Sequence, residues 1–343
     1  MTYHFPKIEL HCHLDGAVRP ETAMRLAKER GVSLPGQTLE DFRRFIQVTA
    51  DCRDVNEYLK RFELPLQLMQ DREGLYTVAY ELVEMLAGQG LRWAELRFAP
   101  QLHCRQGLTQ QNAIDAVCDG VRDAMDRYPD IKAGVLLCMM VFGDPSRNDA
   151  ANRETVELAR KNLGSLVRGV DLAGAEGLVP LSRFGYLFER VRAYGIPFTC
   201  HAGDSQGPDT VRDAMDFGAV RIGHGHHIWN DPELVQRAVR EGTTLELCLT
   251  SNIQCSTQPS YEEHPVKKLY EAGVKTTLNT DNMVLSSVTL DSEYDLAIAR
   301  CGLTEADIIR MNINSAKAAF MPECYREQLI AELEKALAAC PAK

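Results

Sequence analysis

Short runs rich in Val, Ile and Leu recur along the chain. Each gives way to a polar or glycine-containing turn and then to an amphipathic stretch. Eight runs stand out: KIELHCHL (7–14), LRWAELRFAP (91–100), AGVLLCMMV (133–141), LVRGVDLAG (166–174), PFTCHAGD (197–204), VRIGHGHH (220–227), TTLELCLTSN (243–252) and KTTLNTDN (275–282). They are mostly apolar without strict alternation, which fits strands covered on both faces of a parallel sheet. The stretches between them repeat at helical spacing. DPELVQRAVREG places Asp231 as an N-cap and Gly242 just past the end. PLSRFGYLFERVRAYG, GPDTVRDAMDFG and the tail from 304 to 339 read the same way. Strand then helix, repeated around the chain, predicts an α/β fold: a parallel TIM-type (β/α)8 barrel.

One connection departs from this rhythm. About 75 residues separate the first run from the second, including ETAMRLAKERG and LEDFRRFIQVTADCRDVNEYLKRF. An insertion there would sit over the barrel mouth as a lid or pocket wall, or simply pack as a helical decoration. Phe42, Phe45 and Leu59 are candidates to wall an apolar pocket. With no repeat and no Pro/Gly/Ser-rich linker, the expectation is a single barrel domain over 1–343, with a helical insertion at about 18–90 and C-terminal helices at about 304–340.

Composition narrows the function. The net charge is -10 with no Lys/Arg block, which argues against a nucleic-acid partner, since phosphate contacts dominate such binding. No stretch nears the ~20 apolar residues of a membrane span, and the N-terminus lacks a signal-peptide run. The 11 cysteines include no Cys-x-x-Cys pair; many sit in apolar runs as small hydrophobes, which suits the reducing cytoplasm. Oligomeric state is not legible.

Functional groups of such barrels stand at the C-terminal ends of the strands. His11 and His13 end the first run two residues apart, so they share a face, with Cys12 turned away. His201 closes the fifth, His224 lies in G-H-G-H-H of the sixth, and Asp281 ends the eighth. Each alone could be a structural histidine or a capping aspartate. Together at one mouth they form a nitrogen and oxygen donor set suited to zinc with one water, although iron or cobalt would fit the same donors. His226 shares His224's face by alternation and is a weaker candidate. His227 is weaker still, and His103 and His264 read as solvated or structural.

The set PKIELHCHLDGA, DLAG, HAGD, GAVRIGHG, LELCLTSN, LNTDN and NINSAKAAF closely resembles the adenosine deaminase family of the amidohydrolase superfamily, along most of the chain. The His-x-Glu and Pro-Cys-x-x-Cys signature of the nucleic-acid editing deaminases is absent. The resemblance implies a zinc-dependent hydrolase of purine salvage acting on adenosine or 2′-deoxyadenosine. It assigns His11, His13, His201 and Asp281 to one Zn2+. It sets His224 beside the metal-bound water, with Asp281 touching both. His13 and Asp15 would lie near the ribose, Gly174 would offer its N–H to purine N3, Asp204 would protonate N1, and Asn282 would meet N7.

Two positions depart from the family. Asp204 stands where Glu is usual, about 1.5 Å shorter in reach, and a misplacement of about 1 Å can cost on the order of 100-fold. Asn282 stands where many members have Asp; its amide is a ready donor, so the change is mild. Two alternatives stay open: a deaminase of another aminopurine (adenine, an N6-substituted adenine or a larger adenosine derivative), or a nucleoside-binding protein that keeps metal without turnover.

Overall fold

The computed structural model describes residues 3–36, 38–48, 52 and 54–340. Eight parallel strands form the frame: β1 (Lys7–His13), β2 (Leu91–Phe98), β3 (Lys132–Val141), β4 (Val167–Gly174), β5 (His201–Ala202), β6 (Arg221–His224), β7 (Thr244–Leu247) and β8 (Lys275–Leu278). They pair in chain order as β1-β2-β3-β4 and β5-β6-β7-β8. Two parallel bridges join these sheets, Val170 with Phe198 and Cys12 with Asp281. At the second seam Asp281 N–H donates to His11 O (2.8 Å) and His13 N–H to Asp281 O (2.7 Å). The ring of the (β/α)8 barrel is thus closed by the very residues expected to carry chemistry.

All eight expected strands are present, and the last four are shorter than their apolar runs. PFTCHAGD contributes only His201–Ala202, because Gly203 turns the chain at φ 66°. VRIGHGHH ends as a strand at His224, where His224 (φ 61°) and Gly225 (φ 71°) adopt the left-handed conformation. His226 therefore lies in the 3-10 turn His226–Asn230, and alternation does not place it. The helix Pro232–Glu241 begins and ends as its caps require: Asp231 accepts from Glu233 N–H and Leu234 N–H, and Gly242 closes it at φ 71°. The tail forms two helices, Glu305–Ala318 and Glu323–Ala339.

The long first connection holds helices Pro20–Arg30, Leu39–Ile46, Val55–Leu59, Glu63–Leu68 and Arg72–Gly88. The last packs along the outer helix Gln110–Arg127 and so belongs to the ring around the barrel. Residues 49–51 and 53 of the run 39–62 lie outside the described residues. Val55, Tyr58, Leu59, Phe62 and Leu66 line the main cavity, so this segment forms a wall there. Leu59 is where the sequence suggests. Phe42 is instead buried in the main hydrophobic core and Phe45 faces solvent, because they lie on the helix Leu39–Ile46, off the cavity.

Candidate active site

Four donor atoms converge at the seam of β1 and β8. His13 Nε2 lies 3.3 Å from His201 Nε2 and 3.4 Å from Asp281 Oδ1; His11 Nε2 lies 3.6 Å from the same oxygen. His11 Nδ1 meets Glu246 Oε2 at 2.9 Å, and His201 Nδ1 meets Asp171 Oδ2 at 2.9 Å. Burial opposes the charge on both carboxyls. Arg97 and Arg221 nevertheless hold Glu246 well below the usual range, and His201 and Arg97 do the same for Asp171. A carboxylate can only accept, so the proton of each ring sits on Nδ1 and the Nε2 lone pair points into the cluster. His11 Nε2 is buried with no hydrogen-bond partner among the described residues. Three imidazoles, two of them with lone pairs aimed in this way, and one carboxylate fit a divalent metal. The grouping extends to His224 with His11 and Asp281.

A buried charge lattice stands beneath the cluster. Arg97 donates to Asp171 Oδ2 (3.0 Å) and Glu246 Oε2 (2.7 Å). Arg221 pairs with Glu95 Oε2 (2.6 Å) and Glu246 Oε1 (2.7 Å), and Thr199 Oγ1 donates to Glu246 Oε1 (3.0 Å). All of these side chains are buried, where ions are tolerated only when paired and hydrogen-bonded. Glu9 joins the two seam strands by accepting from His11 N–H (2.9 Å) and Thr280 N–H (2.9 Å). Asp281 itself sits at φ 58°, a conformation sparsely populated by residues with a Cβ. Its Oδ2 accepts from Ser251 Oγ at 2.6 Å, which leaves Oδ1 for the cluster.

Asp204 stands close by, carried by the loop after β5. Its Oδ1 accepts from Asn252 Nδ2 (2.7 Å) and Thr257 Oγ1 (3.1 Å). Burial, and then Glu176 and Asp281, push its pKa up to about 7. Glu176 shapes the loop by accepting from Gly203 N–H (2.6 Å), Asp204 N–H (3.0 Å), Ser205 N–H (2.7 Å) and Gln206 N–H (3.1 Å).

One chain of donors links Asp204 to His224. Val266 N–H donates to His264 Nδ1 (3.1 Å), so His264 donates from Nε2 to Asn252 Oδ1 (3.1 Å). That sets the amide so that Asn252 Nδ2 faces both Asp204 and His224 Nδ1 (3.1 Å). Burial, with neighbouring His201 also lowering it, takes His224 down to about 4. The neutral ring accepts at Nδ1 and carries its proton on Nε2. Sequence reasoning missed Glu176, Asn252 and Thr257, and treated His264 as solvated or structural. The only sequence signal for Glu176 is its place two residues beyond Gly174.

A cavity of about 490 Å³ opens onto this constellation and is lined by His13, Asp15, Gly174, His201, Asp204, His224, Asp281 and Asn282. His11 lies beneath, fully buried. Asp15 Oδ1 is buried without a partner among the described residues. Gly174 has φ 116°, and a Cβ there would lie 2.7 Å from Val141 O, so no other residue fits the end of β4 without strain. His226 Nδ1 is 4.0 Å from Asp204 Oδ1, behind the acid. His103 is buried and bonded to Met69 O (2.8 Å), a structural role.

The family model described as adenosine deaminase matches residues 6–336. An adenosine deaminase of Haemophilus ducreyi is 38% identical over 331 residues, covering 96% of this chain and 95% of the relative. One from Clostridium perfringens is 37% identical over 333 residues, covering 95% and 97%. Among solved structures, an amidohydrolase from Burkholderia ambifaria with bound Zn superposes with a TM-score of 0.86 at 26% identity, covering 98% and 93%. An Arabidopsis N6-mAMP deaminase gives 0.84 at 27% identity, covering 96% and 98%. An adenine deaminase from Arthrobacter aurescens gives 0.87 at 21% identity, covering 98% and 100%, which speaks for the fold alone.

Proposed function

The chain belongs to the adenosine deaminase family, and on that premise we propose that it hydrolyses adenosine and 2′-deoxyadenosine to inosine and 2′-deoxyinosine, releasing ammonia. The observation that carries this reading is the pairing, in one cavity, of a metal-ready cluster with a buried acid whose pKa is about 7. The assignment covers one barrel domain over 1–343, working in the cytoplasm, where the free thiols of its cysteines suit a reducing milieu. No helix among the described residues is long and apolar enough to cross a membrane.

The metal is taken to be zinc, held by His11, His13, His201 and Asp281. Zinc there would supply a hydroxide equivalent near neutral pH, where free water has a pKa of about 15.7. The chain's own groups do the rest. Asp204 uses the oxygen not held by Asn252 and Thr257 to give a proton to purine N1, which makes C6 electrophilic. His224 turns its Nε2–H toward the attacking oxygen and orients it. Asp281 accepts one proton of the attacking water as the C6–O bond forms and passes it to the amine as the C6–N bond breaks, and the oxygen's second proton returns to Asp204 as the C6 carbonyl forms. Gly174 N–H receives N3, the Asn282 amide meets N7, and His13 and Asp15 meet the ribose. A carboxyl at Asp15 favours a nucleoside over free adenine.

The test is a substrate panel. Zinc-loaded protein is incubated with adenosine, 2′-deoxyadenosine and adenine while ultraviolet absorbance and ammonia are followed. Both nucleosides should be consumed with matching ammonia release, and adenine poorly. Failure to turn over any aminopurine, with one metal per chain, would sink the proposal.

A further inference from the structure

The cavity changes character between floor and mouth. The floor holds the cluster, Asp204 and Asn282. The mouth exposes two large apolar side chains, Phe142 at 38% and Leu178 at 55%. Beside them the lining includes Arg105 and Arg147, both exposed. Neither guanidinium has a carboxylate partner among the described residues. Both stand in a chain whose net charge is -10. Arginines on the outer surface are commonly paired, as Arg43 is with Glu21 and Arg300 with Glu262.

The two arginines rest on firmly built loops. Arg105 follows the turn Pro100–His103 at the end of β2. Its N–H donates to Gln70 Oε1 (2.9 Å), and Gln70 Nε2 in turn donates to Leu102 O (2.9 Å). The backbone is tied while the guanidinium is left free. Arg147 follows β3 and donates to Phe142 O at 3.2 Å, which draws one arginine to the exposed aromatic residue. Adenosine is neutral, so nothing in it answers either cation. Unpaired arginine forks beside an apolar ledge suit a carboxylate or phosphate.

We propose that the mouth recognises an anion, and that the preferred substrate is an adenosine derivative extended from its ribose by a group ending in negative charge. This rests on the deaminase reading and deepens it. Asp15 lines the same cavity, while the arginines stand with the exposed Phe142 and Leu178. The charge is better carried on an apolar spacer that crosses Phe142 and Leu178.

The experiment compares kcat/KM for four compounds: adenosine, 5′-AMP, 5′-S-(3-carboxypropyl)-5′-thioadenosine and its uncharged analogue 5′-S-butyl-5′-thioadenosine. Dissociation constants are measured alongside by calorimetry. The carboxypropyl compound should exceed the butyl compound by about tenfold, the scale of one charge-assisted hydrogen bond. The double variant R105A/R147A should abolish that preference and leave adenosine turnover unchanged. Equal rates for the charged and uncharged compounds, or an equal loss for every substrate in the variant, overturns the proposal. A preference for 5′-AMP that the variant abolishes supports anion recognition and overturns the spacer. Loss of turnover for all four sinks the deaminase reading instead, and the calorimetric charge preference then decides the anion site by itself.

Discussion

The two halves of the site are built differently. The metal-facing half stands on the seam of β1 and β8, with each aimed imidazole backed by a buried carboxylate and each carboxylate backed by Arg97. In the acid half Asp204 stands on the loop after β5 and is held by neutral donors, Asn252 and Thr257. The first half fixes lone pairs by charge in a dry interior. The second keeps a proton by withholding charge: among the described residues no Lys or Arg pairs with Asp204, so burial dominates and its pKa rises to about 7. One fold thus holds one carboxyl ionised, at Asp281, and another close to neutral.

Breaking the metal half should have the largest effect. Asp281→Ala removes an oxygen donor and leaves three imidazoles. Lewis-acid activation is worth several kcal/mol, so kcat should fall on the order of 10³-fold, with metal content in plasma emission falling in parallel. Full activity without bound metal would contradict the assignment.

Asp204→Glu tests the acid half. The native carboxylate already sits on Asn252 and Thr257, so an added methylene displaces it by about 1.5 Å and should lower kcat about 10- to 100-fold with zinc content unchanged. A rise in kcat would mean that the native acid is too short for its task.

Thr257→Val is a finer probe. Thr257 donates to the ionised form of Asp204 and lowers its pKa, so its removal raises that pKa. In the proposed role Asp204 must be protonated, so native activity should decline as pH rises through about 7. In the variant this basic limb should move to higher pH by roughly half a unit. A shift to lower pH would exclude Asp204 as the acid. The smallest effect belongs to the wall: Leu59→Ala should raise KM about threefold to tenfold through lost apolar contact, with kcat held. No change in KM would remove Leu59 from the substrate's reach.

The same contrast explains what the sequence disclosed. His11, His13 and Asp281 were legible because strand spacing and strand ends constrain where such side chains point. The charges beneath them were not. Glu95, Arg97, Asp171, Arg221 and Glu246 look like polar interruptions in apolar runs until the ring closes and pairs them across β2, β4, β6 and β7. The acid half was less legible still. Asn252, on the short helix Leu249–Gln254, and Thr257 and Glu176, on loops, reach Asp204 from 28 to 53 residues away in sequence, and no periodicity reports such a contact. His226 shows the limit of alternation, since the chain leaves the strand at His224. Phe42 and Leu59 show it for helices: both are apolar, and only packing decides which one meets the cavity.

The central claim is that one metal ion held at the β1/β8 seam is required for turnover of adenosine. It is tested most directly by stripping the protein with a chelator and titrating zinc back while adenosine consumption is recorded. Stripped protein should show no turnover, then a linear rise that stops at one equivalent per chain. Turnover without metal, or a filled site with no turnover, would contradict it.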